Sequence, residues 1–334
     1  MVITMRANNV LGIIYSNAYD SVLSELTNAR TMGSVPFGGR YRLIDFALSN
    51  LVNCGINKVG IITKSNYQSL MDHIGTGKPW DLSRKRGGMF LLPPFNNSHT
   101  GMYRDRIQAL RGIMRFLEQS KEEYIVLMDT NVVCNFDLND MCRAHTESGA
   151  DITIAYHHGR APRLDDLMTF TFEENQKVAK IALDPKTSNP VDYAMNIILI
   201  SKALLTRLIN NAVSLNQDSF VRDVIQHNLK RLNIYGYEVS GFTSVFDSLQ
   251  SYYDISMSLL DPANCQELFT RERPVYTKVR DDMPAIYGLG STVKNSLVAD
   301  GCSIDGEVEN CILFRGVQIG KGAVVRNSII MQGT

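Results

Sequence analysis

Three arginines and a pair of glycines near the N-terminus have the types and spacing that could bind phosphate. Arg30 precedes the stretch "VPFGGRYRLIDF", which contains Gly38, Gly39, Arg40 and Arg42. Glycine lets the backbone adopt positive φ, and guanidinium groups pair with phosphate oxygens. Two interpretations stay open: a retained anion site, or a structural turn with solvated arginines.

A second basic run, "KPWDLSRKRGG", contains Lys78, Arg84, Lys85 and Arg86. Such a run is ordinarily a solvated face. The alternative is that Lys78 and Arg84 contact a phosphate effector or a partner protein. We expect Trp80, the only tryptophan, to anchor this loop by packing.

Neither the cysteines nor the histidines have the spacing of a metal site. The six cysteines include no Cys-x-x-Cys pair, which predicts small buried hydrophobes. His157 and His158 are adjacent, and adjacent residues of a strand point to opposite faces. We therefore expect no metal to bind at these residues.

An α/β scaffold must position the candidate phosphate ligands. Val10 to Tyr15 is an apolar strand where such proteins usually carry a glycine-rich phosphate loop, yet no glycine occurs between Gly12 and Gly33. Up to about residue 260, apolar strands such as "KVGIIT" and "EYIVLMD" alternate with helical patterns such as "RIQALRGIMRFLEQ". This alternation predicts a mainly parallel sheet with helices on both faces.

The rhythm changes after a linker that we predict at 265–285. Residues then recur every six positions in two sets: Ile286, Thr292, Val298 and Ile304, followed by Leu313, Ile319, Val325 and Met331. A six-residue period with glycines at the corners predicts a β-helix over 286–334. The shift between the sets predicts an irregular corner near 305–312. Because the rhythm continues to Thr334, we expect an incomplete last coil.

Composition and charge argue against a nucleic-acid-binding, a membrane-spanning or a secreted protein. The 334 residues are 44% hydrophobic and 20% charged, and 34 basic residues balance 34 acidic ones. This neutrality argues against nucleic acid or an anionic membrane as a partner. No run reaches about 18 consecutive apolar residues, the length of a membrane span. The N-terminus lacks a signal-peptide pattern, so we expect a cytoplasmic protein.

Three stretches closely resemble bacterial ADP-glucose pyrophosphorylases, the glucose-1-phosphate adenylyltransferases of glycogen synthesis. They are "SVPFGGRYRLIDFALSNLVNCGINKVGIIT", "HIGTGKPWDLSRKRGGMFLLPP" and "SYYDISMSLLDP". With the linker and β-helix, the resemblance covers essentially the whole chain. It implies a Rossmann-like, GT-A-like nucleotidyltransferase domain over 1–264, and a left-handed parallel β-helix over 286–334.

The resemblance also implies where catalytic residues should stand. Active relatives transfer a nucleotidyl group with a glycine-rich turn, Arg and Lys on the phosphates, and Mg²⁺ held by carboxylates. Aligned without a gap, the loop glycines fall on Asn17, Ala18 and Asp20. The family's catalytic arginine, its lysine, its two metal-binding aspartates and its sugar-phosphate lysine fall, in that order, on Val22, Met32, Asn131, Val245 and Asp184.

Two displaced carboxylates could stand in for the lost Mg²⁺ ligands. Asp129 lies two residues before Asn131, and Asp247 two residues after Val245. A shift of two residues moves a carboxylate roughly 6–7 Å along a strand. Losing one contact to transition-state charge typically costs about 10²–10³ in rate. We therefore expect no retained catalytic residue or metal cofactor.

Two further segments correspond to substrate-binding parts of active relatives. Asp192, Met195 and Asn196 lie in the sugar-pocket segment and are candidates for a residual sugar pocket. The turn that begins a substrate-lining helix has become "DRIQA", at 105–109.

Retention of the fold with loss of these residues resembles the non-catalytic, regulatory GlgD-type subunit of some bacteria. The resemblance implies a heterotetramer with the catalytic glucose-1-phosphate adenylyltransferase subunit, tuned by a sugar-phosphate effector. Two alternatives stay open. One is an active enzyme that makes ADP-glucose and diphosphate from ATP and glucose 1-phosphate with Asp129 and Asp247. The other is a stand-alone sensor of sugar phosphates or nucleotides.

Overall fold

The computed structural model describes residues 7–94, 103, 105–184 and 187–334. The strands of the first part of the chain are β1 (Val10–Tyr15), β2 (Pro36–Phe37), β3 (Tyr41–Arg42), β4 (Lys58–Ile62), β5 (Gly88–Leu92), β6 (Tyr124–Asp129), β7 (Val132–Cys134), β8 (Ile152–Gly159), β9 (Met168–Phe172), β10 (Val178–Leu183), β11 (Val191–Ser201), β12 (Ile234–Glu238) and β13 (Thr243–Val245).

Helices alternate with these strands. The α-helices are α1 (Ser24–Thr27), α2 (Leu43–Asn53), α3 (Gln68–Ile74), α4 (Arg106–Gly112), α5 (Met114–Gln119), α6 (Leu138–Ser148), α7 (Lys202–Ser214), α8 (Leu249–Ser258) and α9 (Pro262–Leu268). A π-helical segment covers Phe220–Ile225, and 3₁₀ turns lie at Ala7–Asn9, Asp20–Leu23, Met32–Ser34, Lys78–Trp80, Glu174–Gln176 and Gln226–Asn228. No described helix is long and apolar enough to cross a membrane.

The central sheet confirms the predicted mainly parallel α/β domain. Its main order is β12-β8-β11-β6-β1-β4-β5, and β9 and β10 extend from the first half of β11. The pairs of β1 with β4 and β6, of β4 with β5, and of β8 with β12 are parallel. Strand β11 runs antiparallel to its neighbours β6 and β8. Apolar residues on both faces form two buried clusters.

The "VPFGGRYRLIDF" stretch forms a hairpin that leads directly into α2. Strands β2 and β3 pair across Gly38 and Gly39, whose φ angles are 58° and 82°. The Asp45 carboxylate accepts a hydrogen bond from the Arg42 backbone N–H at 3.0 Å, which caps the helix start. Buried His73 lies 2.6 Å from the same carboxylate. The motif therefore has a structural role in this chain.

The predicted helix "RIQALRGIMRFLEQ" is two helices rather than one. Helix α4 ends at Gly112, and α5 begins at Met114. Between them Ile113 has φ −100° and ψ 8°, outside the helical range. The break follows a glycine, the weakest helix former after proline.

Residues 286–334 form the predicted hexapeptide β-helix. Its strands are β14 (Ile286–Tyr287), β15 (Thr292–Lys294), β16 (Leu297–Val298), β17 (Ser303–Ile304), β18 (Glu307–Leu313), β19 (Gln318–Ile319) and β20 (Val324–Ile330). They stack in parallel as β14-β17-β19 and as β15-β18-β20, consistent with a left-handed β-helix. Ile304, Leu313 and Ile319 are buried inside, whereas Ile286 on the edge strand is 56% exposed.

Asparagines build one corner of the coils. Asn295, Asn310 and Asn327 all have positive φ, and Asn310 lies in the predicted irregular corner. Asn295 Nδ2 donates to Asn310 Oδ1 at 2.8 Å, and Asn310 Nδ2 donates to Asn327 Oδ1 at 3.2 Å. This side-chain ladder links successive coils.

The β-helix packs directly on the α/β domain. Leu297, Ile329 and Met331 contact an apolar cluster that includes Phe37 and Phe46. Tyr253 of α8 donates a hydrogen bond to the Asn327 carbonyl at 2.7 Å. The intervening residues 269–285 contain no helix or strand, and α9 extends across position 265.

We expect Asn310→Ala to lower the free energy of unfolding by about 1–2 kcal/mol, because alanine disfavours positive φ and removes the ladder bonds. Asn310→Gly tolerates the backbone geometry, so its loss should be smaller. Urea denaturation measures both values. Lys294→Ala, on a neighbouring exposed position, is the control, and an equal loss there would contradict the ladder.

Candidate functional site

The loop after β1, where a glycine-rich turn would hold phosphate, is closed by its own side chains. Asn17 Oδ1 accepts from the Lys64 backbone N–H at 2.7 Å, and Asn17 Nδ2 donates to Asp20 Oδ2 at 2.6 Å. Asp20 Oδ1 accepts from the Met32 backbone N–H at 2.7 Å. The Asp20 carboxylate thus accepts a hydrogen bond from a backbone N–H that could otherwise bind an anionic ligand.

Burial makes the Asp20 carboxyl group a weaker acid. Desolvation raises the pKa of Asp20 from 3.8 to about 6, against the opposing hydrogen bonds from Asn17 and Met32. A charged carboxylate here would also repel a triphosphate. The loop therefore does not suit nucleotide binding.

The positions of the family's arginine and lysine belong to apolar packing. Met32 is fully buried in a cluster with Leu23, Val35 and Phe37. Val22 is half-buried and packs against the same cluster. Neither side chain can stabilise phosphate charge.

The two family metal positions lie together but do not fit Mg²⁺. Strands β7 and β13 pair, and the Phe246 backbone N–H donates to the Asn131 carbonyl at 2.9 Å. Asn131 Oδ1 is buried with no hydrogen-bond partner in the described part of the chain, while neighbouring Val245 offers no ligand atom. Among the described residues, no three His, Cys, Asp or Glu side chains converge as a metal site. One neutral amide oxygen is a poor substitute for two carboxylates.

The displaced carboxylate Asp129 is already paired. Arg106 of α4 contacts both of its carboxylate oxygens in a buried ion pair. The guanidinium lies 4.6 Å from the ring centroid of Tyr15 and 5.7 Å from that of Phe220. Burial raises the pKa of Asp129, and the Arg106 charge opposes that rise. Arg106 is not among the site residues predicted from the sequence, although the altered "DRIQA" turn that contains it was a usable signal.

The displaced carboxylate Asp247 has a structural role. Its Oδ2 accepts from the Arg163 backbone N–H at 2.7 Å, and its Oδ1 accepts from Ser248 Oγ at 2.9 Å. These bonds hold the start of α8 against the loop after β8. Asp184 similarly accepts from the Leu167 backbone N–H at 3.0 Å.

The three candidates in the sugar-pocket segment separate in the structure. Asn196 lines the cleft beside β1 and donates to the Tyr19 hydroxyl at 2.9 Å. Met195 is fully buried in the core. Asp192 Oδ1 lies 2.7 Å from Nδ1 of His158. Of the three, Asn196 alone lines this cleft, so a sugar pocket there stays a prediction.

A cleft of about 330 Å³ lies at the carboxyl edge of the parallel strands. Tyr15, Tyr19 and Phe220 contribute aromatic surface, and Lys64 and Arg106 contribute cations. We call it the edge cleft.

A second cleft, of about 400 Å³, lies between the two domains. Arg30, Arg40 and Arg42 line it together with Gly39, and phosphate binding by them stays a prediction. Gly38 turns the chain beside it, next to Leu259 and Phe269. Two further arginines, Arg280 and Arg315, also line this cleft, and neither was predicted from the sequence. We call it the arginine cleft.

The charges of the arginine cleft are only partly compensated. Arg315 Nε lies 3.8 Å from Asp300 and 3.9 Å from Asp282, and it is buried with no hydrogen-bond partner among the residues that the structure describes. Arg42 is held by Ser69, whose carbonyl and hydroxyl accept from Nη1 at 2.6 and 2.8 Å. Burial lowers the pKa of both Arg42 and Arg315, and neighbouring arginines lower it further. An anion would relieve this repulsion.

The second basic run does not join either cleft. Arg84 is exposed, forms an ion pair with Asp81 and lines a shallow surface depression. Lys78 opens the 3₁₀ turn that ends at buried Trp80. Trp80 packs edge-on against His73, with ring centroids 6.0 Å apart.

Comparison with known families defines the class of this protein. The nucleotidyl transferase family matches residues 12–246, and the GlmU-like C-terminal hexapeptide family matches residues 286–334. The chain belongs to the nucleotidyl transferase family, in the branch that contains GlgD proteins and glucose-1-phosphate adenylyltransferases. This confirms the resemblance found in its motifs.

Individual relatives align over nearly the whole chain. The glycogen biosynthesis protein GlgD of Bacillus subtilis is 37% identical over 96% of this chain and 84% of its own length. GlgD of Geobacillus stearothermophilus is 39% identical over 95% and 83%. A glucose-1-phosphate adenylyltransferase of Clostridium botulinum is 31% identical over 97% and 85%.

We expect Arg106→Met to destabilise the protein by about 3–5 kcal/mol, because it leaves the buried Asp129 carboxylate without its cation. The double variant Arg106→Met/Asp129→Leu removes both charges and should recover most of that loss. Urea denaturation at neutral pH measures the cycle. A double variant no more stable than Arg106→Met would contradict the compensation.

Asp20 gives a pH prediction. Its folded pKa exceeds the ordinary value, so the folded state holds a proton that the unfolded state has released between about pH 4 and 6. The stability of the natural protein relative to Asp20→Asn should therefore fall as pH rises through this window. Urea midpoints at pH 4.5 and 7.5 measure the change. A difference that is constant with pH would refute the raised pKa.

Proposed function

We propose that this protein is a catalytically deficient regulatory subunit in glycogen biosynthesis. It assembles with a catalytic glucose-1-phosphate adenylyltransferase subunit in the cytoplasm and tunes the formation of ADP-glucose. The relatives named GlgD and glucose-1-phosphate adenylyltransferase support the pathway, and the chemistry of the two clefts supports the regulatory role.

The main support for a regulatory rather than a catalytic role is the chemical contrast between the two clefts. At the carboxyl edge, Asp129 is neutralised by Arg106 and the former metal positions are Asn131 and Val245. A nucleotidyl transfer needs cations and Mg²⁺ around the α-phosphate, and these residues cannot supply them. The active alternative with Asp129 and Asp247 is disfavoured because both carboxylates already have partners.

The arginine cleft fits an effector that carries phosphate groups, such as a sugar phosphate. Arg30, Arg40 and Arg42 come from the nucleotidyltransferase domain, whereas Arg280 precedes the β-helix and Arg315 lies within it. A phosphate bound among them would accept charge-assisted hydrogen bonds from both domains. Binding would therefore couple effector concentration to the packing of the β-helix, a route for regulation.

The first coil of the β-helix offers a surface for assembly. Strand β14 pairs only with β17 within the described chain, so one backbone edge is open. Met283, Ile286, Tyr287 and Leu289 on and beside this strand are all exposed large hydrophobics. Exposed apolar strand edges are unusual on a free subunit and favour docking of another chain. We assign this surface to the hetero-oligomer.

A kinetic comparison tests the proposal: catalytic subunit alone, this chain alone, and both mixed, each with ATP, glucose 1-phosphate and Mg²⁺. We expect no turnover by this chain alone and a changed rate or effector response in the mixture. Turnover by this chain that is lost in Asp129→Asn or Asp247→Asn would establish the enzyme instead. Failure to associate with the catalytic subunit would favour the stand-alone sensor.

Variants of this chain test whether the arginine cleft binds the effector and whether the first coil of the β-helix binds the catalytic subunit. Arg30→Ala/Arg280→Ala should weaken the effector response of the mixture at least severalfold, because two cleft charges are lost. The matched control, Arg84→Ala/Lys85→Ala, removes two charges outside the cleft. Leu289→Glu should prevent co-elution with the catalytic subunit, whereas Leu215→Glu, at an exposed leucine elsewhere, should not.

A further inference from the structure

The lining of the edge cleft is negatively charged, whereas a nucleotide site is positively charged. Four carboxylates line it, and of its cations Arg106 is paired with Asp129, which leaves Lys64 among the described lining residues. The carboxylates are those of Asp105, Asp165, Asp166 and Asp218. Arg222 forms an ion pair with Asp218, with 2.9 Å between Nη2 and Oδ1. The lining therefore remains negative and would repel phosphate.

These carboxylates come from three parts of the chain, and Asp166 lies close to Asp218, because Ser219 Oγ donates a hydrogen bond to Asp166 Oδ2 at 3.4 Å. Asp105 is the N-cap of α4, and its side chain accepts a hydrogen bond from the Gln108 backbone N–H. Burial raises the pKa of Asp105, and the charge of Asp218 raises it further. Asp165 and Asp166 lie on the loop between β8 and β9, both exposed. The described residues contain no cluster that could hold a metal ion. Several carboxylates in one lining, together with aromatic surface, suit an organic cation with several ammonium groups better than a metal ion.

The aromatic surface of the cleft already receives cations. Arg106 stands 4.6 Å from the ring centroid of Tyr15, and Lys64 Nζ stands 5.9 Å from that of Tyr103. Ring faces attract ammonium and guanidinium groups at such distances. Tyr19 and Phe220 supply more aromatic surface.

One polar group in the lining has no partner. Tyr15 is 6% exposed, and its hydroxyl is buried without a hydrogen bond among the described residues. Burial raises the pKa of this phenol well above its usual value, so the group stays neutral and can accept a hydrogen bond from an ammonium donor. A buried hydroxyl without a partner costs free energy that a ligand would recover.

We propose that the edge cleft binds an organic cation with two or more ammonium groups. The ammonium groups contact the carboxylates of the lining, and the alkyl chain between them lies along the aromatic surface. A free polyamine and lysine side chains of a polypeptide share this chemistry. The proposal does not depend on the regulatory role, because it concerns the edge cleft alone.

Isothermal titration of the full chain at low ionic strength tests this site. The probes are spermidine, its uncharged triacetylated analogue and a blocked tri-lysine peptide. We expect saturable binding of spermidine or of the peptide, and none of the acetylated analogue. The tighter of the two cationic probes identifies the source. Failure of both to bind would overturn the proposal.

Matched double variants locate the binding. Asp165→Asn/Asp166→Asn should weaken binding roughly three- to tenfold, the effect of two partly exposed charge contacts. Glu173→Gln/Glu174→Gln removes two adjacent exposed acids outside the cleft and should leave the affinity unchanged. Both pairs are exposed, so folding is preserved, and thermal unfolding checks this. Equal weakening in both double variants would show general attraction of charge and would overturn the site.

Discussion

The buried ion pair of Arg106 and Asp129 controls what the carboxyl edge of the sheet can do. A carboxylate that is fully buried needs a cation nearby, and in this chain α4 supplies it. The pair removes the carboxylate from metal binding and places the guanidinium over the Tyr15 ring. The loop after β1 follows the same principle, since Asp20 takes the Met32 backbone donor. Both features satisfy charge and hydrogen bonding inside the protein, so neither is available to a nucleotide.

The junction between the domains has the opposite character. Five arginines line the cleft there, and Nε of the buried Arg315 has no hydrogen-bond partner within the described ranges of the chain. Charge that the chain leaves uncompensated favours an anionic ligand, because the ligand relieves both repulsion and the missing hydrogen bond. The hairpin of β2 and β3 connects this cleft to α2 and to the loop after β1.

Much of the fold could be predicted because its signals are local. Alternating apolar strands and helical patterns predicted the parallel sheet, and the six-residue period predicted the β-helix. The antiparallel direction of β11 was not predicted, since strand direction depends on the connection between elements rather than on residue pattern. The break at Ile113 also escaped, because one glycine in a strongly amphipathic pattern is a weak signal.

The sequence by itself determined which residues are missing: the chain carries Val22, Met32, Asn131 and Val245 at the positions that resemblance assigns to catalysis. It also determined that Arg30, Arg40 and Arg42 stand beside a paired-glycine turn. Only the tertiary structure decided that Arg106 neutralises Asp129, and that Arg280 and Arg315 join the other arginines while Arg84 does not. The physical reason is that these contacts join residues far apart in the chain. Their charges interact through space, over a few ångströms that no local pattern records.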